Sequence, residues 1–98
     1  METKKHIYSE QEAYIKLSAL CASAEYCEYD LRKKARNWEV SSLDAVISRL
    51  RKERFINDER YARAFVRDKF RYNHWGRVRI SQELKMRMID SPIIEEAL

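Results

Sequence analysis

Hydrophobic residues recur every three or four positions along most of the chain, which is the spacing of amphipathic helices. In the first half, a capping box formed by Ser9 and Glu12 predicts where a first helix begins. The predicted helices of this half cover residues 10–25 and 27–37 and a segment that begins at Ser41 or Ser42. Their inward positions are Ala13, Leu17, Leu20, Cys21, Ala24, Leu31, Ala35, Leu43, Val46, Ile47 and Leu50. Phe55 and Ile56 close this first set of three helices.

The same kind of pattern restarts after Asn57, a residue type that favours helix N-caps. The predicted apolar face of the fourth helix consists of Tyr61, Ala62, Phe65, Val66 and Phe70. After Gly76, a fifth helix is defined by Val78, Ile80, Leu84 and Met88. Pro92 at a first helical position opens a sixth helix, which carries Ile94 and Leu98.

The two halves are similar to each other. A shift of 49 positions aligns Ala13 with Ala62 and Leu31 with Ile80, and a shift of 48 aligns Val46 with Ile94. We therefore expect an all-α fold of six helices in two tandem three-helix repeats of about 48–49 residues. The first repeat, with an N-terminal extension, covers residues 1–56, and the second covers residues 57–98. Repeat arrays usually need three or more units to cover their apolar ends. We accordingly expect the second repeat to be incomplete at its C-terminus, the chain to be a fragment of a longer protein, and Ile94 and Leu98 to promote self-association.

Composition agrees with helices and argues against several classes of protein. One glycine and one proline among 98 residues are too few for the many tight turns of an all-β fold. No apolar run approaches the roughly 18 residues that cross a bilayer, and the N-terminus lacks the apolar core of a signal peptide. We expect a cytoplasmic protein without a membrane partner. In that compartment Cys21 and Cys27 should remain reduced.

No catalytic, metal or cofactor site is predicted. His6 and His74 lie in different repeats, and neither has metal-ligand spacing to a cysteine or carboxylate. A single glycine is too few for a phosphate-binding loop. Paired acids such as Asp58 and Glu59 stand in first helical turns, where they offset the helix dipole. The expected protein is therefore a binding protein, not an enzyme, without a cofactor or a small-molecule substrate.

Arginines form the most informative pattern. Four of them follow steps of three, four and four residues, so they lie on one side of the fourth helix, away from its apolar face. The predicted partner-binding residues are these four and two that follow the loop, Arg60, Arg63, Arg67, Arg71, Arg77 and Arg79. Residues 60–79 contain seven Lys/Arg and one Asp. Arginine in place of lysine favours bidentate recognition of phosphates or carboxylates, although a merely solvated helix face is the simpler alternative.

A secondary basic cluster lies near the end of the second helix and consists of Arg32, Lys33, Lys34 and Arg36. Cations at a helix C-terminus complement its dipole, which explains this cluster adequately without a partner. Four aromatic residues lie near the basic segments and could stack on bases, Trp38, Trp75, Tyr72 and Tyr61. Tryptophans at helix ends are more often lids on the core, and that interpretation is favoured.

The segment DERYARAFVRDKF (58–70), followed by WGRVRISQEL (75–84), resembles the RecX family of bacterial recombination regulators. Further similar segments are YDLRKKARNW from Tyr29, LDAVISRL from Leu43, FINDERYARAF from Phe55 and the terminal IIEEAL. The resemblance implies tandem three-helix repeats that bind the RecA recombinase, lie in the groove of its DNA filament and restrain its activity, without a cofactor. This sequence departs from the family at Cys27, where a capping serine is common, and at Arg77, where proline is often found.

Three functions remain open from the sequence. The first is a non-enzymatic regulator that contacts a RecA-type recombinase filament and, through its basic face, single- or double-stranded DNA. The second is a stand-alone DNA-binding module whose arginine-rich helix enters the major groove. The third is an adaptor that binds an acidic protein surface without nucleic acid. Which face would meet recombinase and which DNA is left open.

Overall fold

Helices dominate the computed structural model, which describes residues 5–98. Within that range there are six, α1 (Glu10–Ser23), α2 (Glu28–Lys34), α3 (Leu43–Lys52), α4 (Asp58–Tyr72), α5 (Arg77–Met86) and α6 (Ser91–Ala97). The same residues contain two short strands, β1 (His6–Ile7) and β2 (Trp38–Glu39). The predicted all-α class is confirmed. The part of the predicted N-terminal extension that covers residues 1–4 lies outside the described residues.

Side-chain caps explain where several helices begin. At α1, the Ser9 hydroxyl accepts a hydrogen bond from the Glu12 N–H at 3.0 Å, and the Ser9 N–H donates to Glu12 Oε1 at 3.0 Å. The predicted capping box is therefore present, and its hydrogen bonds lower the pKa of Glu12. At α3 and α4, the side-chain oxygens of Ser42 and Asn57 accept hydrogen bonds from the backbone N–H groups of Ala45 and Arg60, with N···O distances of 3.1 and 2.8 Å.

Two compact units divide the chain, Met1–Ile56 and Asn57–Leu98. The core of the first unit is apolar and joins α1, α2 and α3 through Ala13, Leu17, Leu31, Val46, Ile47, Leu50 and Ile56. Cys21 packs against this core and Cys27 is buried at the start of α2, and no disulfide joins them.

A parallel pairing of β1 and β2 attaches the N-terminal segment to the first unit. The Tyr8 N–H donates to the Glu39 carbonyl at 3.0 Å, and the Tyr8 ring lies edge-on to Trp38 with centroids 4.9 Å apart. The sequence did not predict these strands, because two residues are too few to show an alternating pattern. Trp38 is half-buried against the core, as the lid interpretation predicted.

The second unit packs α4, α5 and α6 around a core formed by Tyr61, Ala62, Phe65, Ile80, Leu84, Ile89 and Ile94. The predicted exposure of Ile94 is wrong, because its side chain is 1% exposed. Leu98 is half-buried.

Three residues predicted to be inward in this unit are exposed. Phe70 is 67% exposed in the last turn of α4. Val78 is 72% exposed because the buried residues of α5, Ile80 and Leu84, lie on a different side of that helix. Met88 is 81% exposed and lies beyond the end of α5, where the backbone turns with φ 65°. Helical spacing alone does not show where a helix extends past the core it packs on. No helix of residues 5–98 combines the length and apolar content needed to cross a bilayer.

Candidate partner-binding surface

Exposed arginines line one side of α4. Arg63, Arg67 and Arg71 are exposed and follow one another at four-residue steps, so they form a line that we call the arginine stripe. Arg60 lies in the first turn of α4 and is half-buried, so it is less exposed than the other three. Its backbone N–H donates a hydrogen bond to the side chain of the capping Asn57. Of the four arginines that the spacing places on this side, three are thus exposed.

Acidic side chains do little to neutralise the stripe. Arg67 Nε lies 3.4 Å from Asp68 Oδ1, a long contact between two side chains that are 61% and 54% exposed. Arg63 borders a cleft of about 200 Å³ together with Glu59, Ile93, Glu96 and Ala97. Within residues 5–98, neither Arg63 nor Arg71 forms a salt bridge. The stripe therefore presents cations to solvent.

Phe70 gives the stripe an aromatic edge. It follows Arg67 by three residues, which places it on a neighbouring part of the same helix surface. A large apolar side chain that is 67% exposed beside arginines is typical of a protein-binding surface. The sequence did not predict this exposure, because the pattern assigned Phe70 to the core. Its position one turn beyond the buried residues of α4 is the signal that distinguishes it.

A second group of cations lies at the turn between α4 and α5. The Trp75 N–H donates to the Lys69 carbonyl at 3.1 Å, and His74 between them adopts φ 56°. The Trp75 ring packs edge-on against Phe65, with centroids 6.2 Å apart, in agreement with the lid interpretation. Arg79 Cζ lies 3.8 Å and Lys69 Nζ 4.9 Å from the centroid of the Trp75 ring. We call Lys69, Trp75 and Arg79 the turn cluster.

The stripe and the turn cluster are on different sides of α4. Lys69 follows Arg67 by two residues, which is a rotation of about 200° around the helix. Its contact with the half-buried Trp75 agrees with that rotation. Arg79, which contacts the same ring as Lys69, is therefore grouped with Lys69 and not with the stripe. Arg77 begins α5 and is exposed.

The secondary basic cluster is partly neutralised within the first unit. Arg32 Nε lies 2.9 Å from Glu28, and Arg32 Nη2 lies 2.7 Å from Asp44. Hydrogen bonds to Asp44 and Glu28 raise the pKa of Arg32. Its guanidinium thus joins α2 to Asp44 in the first turn of α3. The remaining cations of this cluster, Lys33, Lys34 and Arg36, are exposed.

Among residues 5–98, no group of three or more His, Cys, Asp or Glu side chains could hold a metal ion. His6 instead stacks on Tyr8, with ring centroids 6.1 Å apart.

Comparison with known proteins gives matches to a single family. Residues 57–98 match the family described as RecX, second three-helix domain. The chain is 31% identical over 81 residues to the regulatory protein RecX of Haemophilus ducreyi, covering 81% of this chain and 53% of that protein. It is 29% identical over 98 residues to the regulatory protein RecX of Clostridium acetobutylicum, covering 100% of this chain and 44% of that protein. The chain thus spans about half the length of these relatives. No solved structure matches it.

Proposed function

The chain belongs to the RecX family of regulatory proteins, and from that premise we propose that it binds the DNA filament of a RecA-type recombinase and restrains the recombinase in recombination and repair. Regulation in this proposal occurs by binding alone, without catalysis or a cofactor. The proposal includes a location in the bacterial cytoplasm, where such a recombinase acts.

The arginine stripe is the observation that carries this proposal. It lies within residues 57–98, the segment that matches the second three-helix domain. Arginine forks bind carboxylates and phosphates through paired N–H groups, and a recombinase filament on DNA presents both kinds of anion. Successive positions of the stripe are about one helical turn apart, roughly 6 Å, so three such contacts can form along one groove.

A stand-alone DNA-binding module is the second candidate, and the 15-residue α4 with its arginine-lined side is the feature that favours it. The exposed Phe70 beside the stripe favours a protein partner instead, because phosphate contacts do not require an apolar anchor. An adaptor for an acidic protein surface is a third candidate, which uses the same stripe without nucleic acid.

The experiment that separates these candidates compares three partners for the same immobilised chain. These are RecA filaments on single-stranded DNA, RecA without DNA, and duplex DNA alone. We expect the filaments to be retained most strongly and the recombinase to hydrolyse ATP more slowly when the chain is present. Equal retention of bare duplex would favour the DNA-binding module. Equal retention of RecA without DNA would favour the adaptor.

A further inference from the structure

Two cations share one aromatic ring in the turn cluster. Arg79 Cζ and Lys69 Nζ lie 3.8 and 4.9 Å from the centroid of the Trp75 ring, so two like charges contact the same indole. The face of an indole ring attracts cations, which offsets part of their repulsion. An anion at this place would relieve the remainder.

Carboxylates of residues 5–98 do not supply that anion. Glu83 follows Arg79 by four residues, a spacing that favours a helical ion pair. Its carboxylate instead lies 2.9 Å from Arg87 Nη1. Across the described residues 5–98, neither Lys69 nor Arg79 forms a salt bridge. Both cations are therefore available to a partner.

The ring beneath these cations is held by contacts on both its side chain and its backbone. The Trp75 ring packs against Phe65, which is 9% exposed, and the Trp75 backbone is bound to the end of α4. A guanidinium stacked on a fixed ring has lost part of its side-chain freedom before a ligand arrives, while its N–H donors remain at the edge of the stack. Trp75 is thus a positioning residue, whose ring restricts the orientation of the Arg79 guanidinium.

The surroundings favour nucleic acid over acidic protein. Residues 69–82 contain four Lys/Arg and no Asp or Glu. Tyr72 is 71% exposed and follows Lys69 by three residues, which places the two on the same side of α4. Cations combined with exposed aromatic rings are characteristic of sites for single-stranded nucleic acid, where rings stack on bases. The bases of a duplex are already stacked on one another and offer Tyr72 no open face.

We propose that the turn cluster, together with Tyr72, is a binding site for single-stranded nucleic acid. Arg79 and Lys69 contact phosphates, and Tyr72 stacks on a base. The site goes beyond the filament contact proposed above and uses none of the residues of the arginine stripe. Either proposal can therefore fail without the other.

The test measures binding of a fluorescently labelled oligothymidylate to the full chain by anisotropy, over a range of salt concentrations. Tyr72→Ala should weaken binding by about 5- to 150-fold, the range for loss of one stacked base. The double variant Lys69→Gln/Arg79→Gln should lower the slope of log affinity against log salt by about 0.7 for each lost contact. Arg79→Lys should keep that slope and still weaken binding, because it retains the charge and loses the planar stack.

Two variants serve as matched controls. Lys85→Gln and Lys52→Gln each remove one exposed cation, from α5 and α3, and both should leave the affinity for oligothymidylate within about twofold, as expected for charges that make no direct contact. A failure of the filament proposal would leave these oligonucleotide results unchanged.

Four results would overturn the proposal. They are no detectable binding at low salt, equal binding of a duplex of the same length, unchanged affinity in Tyr72→Ala, and competition by polyglutamate as effective as that by unlabelled oligothymidylate. The last result would assign the cluster to acidic protein surfaces.

Discussion

The guanidinium of Arg79 stacks on the ring of Trp75, with Arg79 Cζ 3.8 Å from the ring centroid. The basic residues of the second unit form two groups. Arg63, Arg67 and Arg71 lie on the exposed side of α4, whereas Arg79 and Lys69 lie around the turn to α5. Under the two proposals these groups are separate surfaces, the first for a recombinase filament and the second for a single strand of nucleic acid.

Stability of the second unit should depend on the buried positions of α5 and not on its exposed ones. Leu84 is 0% exposed and Val78 is 72% exposed on the same helix. Leu84→Ala should lower the free energy of unfolding by about 2–5 kcal/mol, because it leaves a cavity. Val78→Ala should change it by about 0.5 kcal/mol or less. Urea unfolding of both variants checks this, and similar losses in the two would contradict the assignment of Val78 to the surface.

The start of α4 should depend on its cap. Asn57 Oδ1 accepts the Arg60 N–H at 2.8 Å, so Asn57→Ala should destabilise the chain by about 1 kcal/mol. Asn73→Ala removes the same side chain from the exposed C-terminal end of α4 and serves as the control. Thermal melting of the two variants should separate them, and equal melting temperatures would show that the Asn57 side chain does not stabilise the helix.

Acid should lower the stability of the first unit because it protonates Glu28. Burial of this carboxyl opposes its ionisation, but hydrogen bonds from Arg32 and Arg51 outweigh burial and lower the pKa of Glu28 below its ordinary value of 4.5. Because the folded pKa lies below the unfolded one, the stabilisation is complete above about pH 4.5 and is lost as the pH falls through the folded pKa. Glu28→Gln should therefore lower the free energy of unfolding by about 1 kcal/mol near neutral pH, with the difference shrinking in acid.

Denaturant titrations of the wild type and Glu28→Gln at several pH values test this. Glu95→Gln, at an exposed position of α6, controls for the substitution itself near neutral pH. A difference that stays constant into strong acid would contradict an ionic role for Glu28.

The sequence alone predicted the features that depend on residues close together in the chain. Ser9 with Glu12 and Asn57 placed the starts of α1 and α4, because capping depends on residues three positions apart. The pairing of β1 with β2 depends on residues about thirty positions apart and left no local pattern. The stack of Arg79 on Trp75 depends on the φ of His74, which spacing does not specify. Phe70 was assigned to the core because it is apolar, although its spacing of three residues from Arg67 places it beside the arginines.

The central claim is that the arginine stripe contacts the recombinase filament, and charge reversal within it is the most direct test. The variant Arg63→Glu/Arg67→Glu changes two exposed side chains, so the stability of the chain should change by only about 0.5 kcal/mol per site. The variant Lys33→Glu/Lys34→Glu makes the same charge change at exposed positions of α2 and serves as the control.

The deciding measurement is the affinity of these two variants and the wild type for RecA filaments on single-stranded DNA, at one fixed salt concentration. We expect the arginine variant to bind about tenfold or more weakly than the wild type, as loss of central interface contacts does, and the lysine variant to bind nearly as well as the wild type. Wild-type affinity in the arginine variant, or an equal loss in the lysine variant, would contradict the claim.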